Sequence, residues 1–115
     1  MTKLPNPLRG EASLKIGIVD VVVGIEFDRL AAFSGMTGID EMSAALQSLI
    51  SFSPRHAKAA LDCFVIDGDA AAAKDSLTAG DSIAWRKAFT EAIAAHLVKA
   101  DARGKEQDQG KVQSP

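Results

Sequence analysis

Two runs of alternating apolar and polar residues open the chain. Ala12, Leu14 and Ile16 alternate with Ser13 and Lys15, and Val19, Val21, Val23 and Ile25 alternate against Asp20, Val22 and Gly24. A period of two, dominated by β-branched residues in the second run, predicts strands over 11–16 and 19–25. Gly17 lies between them and can supply the positive φ of a tight hairpin turn. A two-stranded ribbon is marginal by itself, so the hairpin needs helices against its apolar face.

Beyond Gly24 the spacing becomes helical. Phe27, Leu30, Ala31 and Ser34 follow the i, i+3, i+4, i+7 pattern, with Gly35 placed to end a short helix. Thr37 is an expected N-cap for the next helix, with Asp40 and Glu41 in its positive first turn. Ile39, Met42, Leu46, Leu49 and Ile50 form its apolar stripe. A third helix is expected from Ser53 as N-cap and Pro54 as first residue, burying Ala57, Ala60, Leu61, Phe64 and Val65 before an Asp67-Gly68-Asp69 turn. Ala70 to Ala73 add a short helical turn, followed by a loop through Gly80. Asp81 caps the last helix, whose face is Trp85, Ala88, Phe89, Ala92, Ile93, His96 and Leu97, the longest regular stripe in the chain.

The ends read differently. Pro5 and Pro7 favour extended backbone in residues 1–10, a lead-in arm. From Asp101 onward Val112 is the one large hydrophobic residue, too little to offset ordering entropy, so 101–115 is expected to be a disordered polar tail. The interval 11–100 remains as a single domain, within the usual size of one core for a chain of 115 residues. The expected fold class is α+β: an N-terminal β-hairpin packed on about four helices, mainly helical.

Composition narrows the function classes. Hydrophobic residues make up 47% and charged residues 24%, as in folded soluble domains. A net charge of −2 and a sequence pI near 5.6 argue against a dedicated nucleic-acid binder. The N-terminus has no secretory-signal core, and no stretch approaches the roughly 20 apolar residues of a membrane helix. A single cysteine allows no internal disulfide and fits a reducing cytoplasm.

Catalytic signals are thin. Cys63 sits between Leu61 and Val65 without a second cysteine, which suits a packed thiol better than a nucleophile. His56 falls in the first turn of its helix and His96 on an apolar face, neither at ligand spacing from a carboxylate or cysteine, so no metal site is expected. Asp67-Gly68-Asp69 lacks the alternating ligands and closing glutamate of a calcium loop, and no phosphate-cradling glycine motif or Walker lysine occurs. Arg55, Lys58, Arg86 and Lys87 read as solvated faces, and 5% aromatics with no tyrosine leave little stacking surface for single strands. No catalytic residue and no cofactor is assigned.

The order of features carries a resemblance. An arm reading Asn6-Pro7-Leu8-Arg9-Gly10-Glu11 leads into an alternating strand, a valine-rich second strand, a Phe27-x-x-Leu30 helix ending at Ser34-Gly35, three small-residue-rich helices and a polar tail. Over roughly Asn6 to Val98 this resembles the tail tube or tail assembly chaperone family of phages and gene transfer agents. It departs from that pattern at Val21-Val22-Val23, where a polar, often aromatic second strand is usual, and at Phe33, where an acidic residue is usual. The resemblance implies a non-enzymatic tail morphogenesis factor in the cytoplasm of a bacterial host. Its expected role is a tail assembly chaperone binding the tape measure protein and tail tube subunits, with self-association also open. One rival is a virion tail tube or connector component; another is a small helical DNA-binding regulator around Ser53.

The partner-binding candidates are Val19, Val21, Val22 and Val23. Val19, Val21 and Val23 suit core packing and an interaction edge equally. Val22 points the opposite way and is expected to belong to an exposed apolar strip.

Overall fold

The computed structural model describes residues 5–6 and 10–112, with side chains as far as Val98. Strands β1 (Glu11–Ile16) and β2 (Val19–Gly24) form the expected antiparallel hairpin, with Ala12 opposite Val23, Leu14 opposite Val21 and Ile16 opposite Val19. Gly17 turns it at φ 61, the glycine-first pattern of a type II′ turn, and leaves Ile18 92% exposed at the tip. This register puts Ala12, Leu14, Ile16, Val21 and Val23 on one buried face.

Among the described residues five α-helices complete the α+β fold: α1 (Phe27–Thr37), α2 (Met42–Ile50), α3 (Ala57–Phe64), α4 (Ala70–Ser76) and α5 (Ser82–Val112). Helix α5 lies mainly against β1, burying Trp85, Ala88, Phe89, Ala92 and Ile93, while His96 is half-buried and Leu97 is half exposed. The alanines keep that face flat enough for close approach. The indole N–H of Trp85 donates to the Leu49 carbonyl at 2.7 Å, so the one buried polar atom of the side chain is satisfied while it ties α5 to α2. A line of rings crosses the core: His56, Phe33, Phe64, Phe89, Trp85 and Phe52, with neighbouring centroids 4.7 to 6.4 Å apart. Each fully buried large side chain contributes about 1.5–3 kcal/mol through area removed from water.

Several local expectations are revised. Helix α1 runs through Gly35 and ends at Gly38, whose left-handed φ of 77 lets its N–H reach the Ser34 carbonyl. Thr37 therefore closes α1 instead of capping α2: its hydroxyl donates to Phe33 O at 2.7 Å and accepts from Ile39 N–H. The stretch from Ser53 forms a turn, His56 N–H to Ser53 O, and regular helix begins only at Ala57. Thr78 is the cap before α5, on a 3₁₀ turn over Ala79–Asp81, with the Asp81 carboxylate reaching back to Thr78 N–H at 2.8 Å. Asp69 caps α4 by accepting from Ala72 N–H.

A third strand, β3 (Val65–Asp67), pairs antiparallel with β2 and makes the sheet order β1-β2-β3. Val65 is thus half-buried in a strand and not the last residue of a helical face. The arm 1–10 lies largely outside the described residues. The backbone of α5 runs as helix to Val112, over most of the segment 101–115 expected as a polar tail, while the side chains beyond Val98 lie outside the described residues.

Candidate functional site

The valine strip is not an open edge. β2 is the central strand, hydrogen-bonded to β1 on one side and to β3 on the other, with Val22 opposite Asp67 and Val23 opposite Val65. Val21, Val22 and Val23 are at most 1% exposed and Val19 is partly buried. Val21 and Val23 belong to the main core. Val22 does point the other way, as alternation requires, yet it is buried there too. The expected exposed strip at Val22 is therefore corrected: the third strand removes the edge, and the opposite face of β2 is covered. On that face Ile66 carbons approach to 3.3 Å of where a Gly24 side chain would begin.

The residues weighed for chemistry have structural neighbours. Cys63 is 6% exposed, and its thiol donates to the Met36 thioether at 3.4 Å. Burial pushes that thiol's pKa upward, Asp62 pushes it further, and Arg29 partly opposes them. The His56 Nδ1 lies 3.3 Å from Ser48 Oγ and 3.4 Å from Ser53 Oγ, and the ring meets Phe33 edge-on. The Cβ of His96 lies 3.4 Å from the position a Gly10 side chain would take. Among the described residues no group of three or more His, Cys, Asp or Glu is placed to hold a metal ion. Among them, too, no helix is long and apolar enough to cross a membrane.

Apolar surface is exposed instead on the helices. Between α1 and α2 runs a groove of about 280 Å³ lined by Phe27, Leu30, Ile39, Met42 and Ala45, with Asp40 and Glu41 at its rim. Phe27 is 67% exposed and Met42 43%. The groove's end wall is fixed: Ser34 Oγ donates to the Ile39 carbonyl at 2.6 Å, beside the Thr37 bonds already described. A second depression of about 550 Å³ lies among Phe52, Pro54, Ala57, Lys58, Leu77 and Thr78. Phe52 there holds φ 53, a costly conformation for a bulky residue, while its ring packs against Trp85 at a tilt of 50°, centroids 4.9 Å apart.

The periodicity placed Phe27 and Met42 on buried stripes, and both are exposed. The sequence did carry a warning: each begins its helix and stands beside carboxylates, Glu26 and Asp28 or Asp40 and Glu41. Comparison with protein-family models, with curated proteins and with solved structures finds no match to this chain.

Proposed function

We propose that the chain is a non-enzymatic tail morphogenesis factor of a phage or gene transfer agent, a tail assembly chaperone acting in the bacterial cytoplasm on the tape measure protein and tail tube subunits. The observation that carries this reading is the ordered resemblance from Asn6 to Val98, in which the Gly10-Glu11 step leads directly into the valine-rich hairpin and the Phe27 helix. What supports it further is exposed apolar surface on helices, at Phe27, Met36, Met42 and Ile83, which a reversible protein-binding role needs. The partner surface moves accordingly from the β2 valines to the helical face.

Mass spectrometry of purified particles tests the reading. A chaperone is absent from particles while present in producing cells. Recovery at the abundance of a tube subunit favours the structural alternative instead.

A further inference from the structure

Five of the six Phe and Trp residues lie in the ring line through the core, and Phe27 is the one left outside. It stands at the mouth of the α1–α2 groove, across from Met42, a flexible side chain suited to adaptable contacts. The groove is small. At about 280 Å³ it has room for one or two anchoring side chains of a protein segment. Its shape is set in advance, because the Ser34 and Thr37 hydroxyls fix the 37–39 connection that ends it.

Charge selects the occupant. From Glu26 to Ile50 the chain carries Glu26, Asp28, Asp40 and Glu41 against one cation, Arg29. That guanidinium is engaged by Glu26 at 3.2 Å and by the Cys63 carbonyl at 3.0 Å. Asp40 and Glu41 stand exposed on the groove's own rim.

We infer that this groove docks an amphipathic helical segment of a partner protein, with apolar anchors seated between Phe27 and Met42 and Lys or Arg residues facing Asp40 and Glu41. The inference rests on the assembly role above and deepens it by naming the class of segment bound.

The test uses the full chain and two labelled synthetic 16-residue amphipathic peptides of about four helical turns, alike in their leucine face but bearing lysines or glutamates opposite. Fluorescence anisotropy should show the lysine peptide binding about tenfold or more tightly than its glutamate twin, with the gap closing at high salt. The double variant Asp40→Lys/Glu41→Lys should reverse the order. Phe27→Ser/Met42→Ser should weaken both peptides about tenfold, whereas Ile18→Ser, at the exposed tip of the hairpin, should change neither. These positions are exposed, so folding survives, and circular dichroism checks it. Equal binding of both peptides, or binding untouched by Phe27→Ser/Met42→Ser, overturns the inference. So does a self-associated chain that the same double variant turns into monomer, since a second copy would then be the occupant. A tape measure fragment that binds wild type and Asp40→Lys/Glu41→Lys alike sinks the groove but leaves the role. Peptides that bind the groove while the fragment does not bind at all sink the role but leave the groove.

Discussion

Asn6 and Glu11 hold each other through two hydrogen bonds. The Glu11 carboxylate accepts from the Asn6 backbone N–H at 2.9 Å, and the Glu11 N–H donates to the Asn6 carbonyl at 3.2 Å. Between this clamp and β2, the Gly10 carbonyl accepts from Ile25 N–H at 2.9 Å. The Gly10-Glu11 step thus has a local physical reason. Glu11 is 7% exposed, so its backbone and carboxylate partners offset the cost of removing it from water.

Gly10 is the residue that this junction tolerates least well in any other form. Its φ is 76, and a Cβ there would lie 3.1 Å from the Ile25 carbonyl oxygen and 3.3 Å from that of Ala92 on α5. Gly10→Ala should cost about 1–3 kcal/mol, from left-handed strain and crowding together. Urea unfolding should show a lower midpoint at unchanged slope.

Phe89 is fully buried between Phe64 and Trp85. Phe89→Ala should destabilise by about 3–5 kcal/mol, a large share of the roughly 5–15 kcal/mol typical of a whole domain. Trp85, 1% exposed, reports on the same region: its emission should be blue-shifted and shielded from quenchers in the native chain and should shift red on unfolding.

Val22→Lys separates the two views of the hairpin. An exposed strip would tolerate the lysine and lose only association. With Val22 at 0% exposure, an ammonium must be buried or the strand displaced, at about 4 kcal/mol or more. Thermal unfolding should show a large drop in Tm or loss of the folded state.

The hairpin was legible because alternation, β-branching and one turn glycine all agree over fourteen residues, from Glu11 to Gly24. The α5 face was legible because its stripe repeats over several turns. β3 was not: three residues are too few to show a period, and Val65 lies four residues after Leu61, where a helical face would continue. Missing that strand is what made the valines look available. The boundaries near Gly35 and Thr37 failed because local capping preferences compete, and the Ser34–Ile39 and Thr37–Phe33 bonds settle them only in three dimensions. The candidate surface was hidden for a related reason. Periodicity tells which side of a helix is apolar, not whether a neighbour covers its first turn, and Phe27 and Met42 both sit there.

Cys63 gives a pH dependence with a defined sign. Its folded pKa is raised above the usual value of 9.0, chiefly by burial, so the fold favours the neutral thiol. Its contribution to stability is complete below that value and is lost as pH rises through the higher folded pKa. The stability difference between the chain and Cys63→Ala should therefore shrink above about pH 9, and native Cys63 should react with thiol reagents far more slowly than the unfolded chain. An unchanged difference from pH 7 to 10, or equal reactivity in both states, would contradict that environment.

The proposed assembly role meets its most direct test when a phage tape measure protein is produced alone and together with this chain, and the soluble fraction is measured. The account predicts that the tape measure protein stays soluble and co-purifies with the chain, and that Phe27→Ser/Met42→Ser loses both effects while remaining folded. A tape measure protein equally insoluble with and without the chain, and never recovered bound to it, would contradict the account.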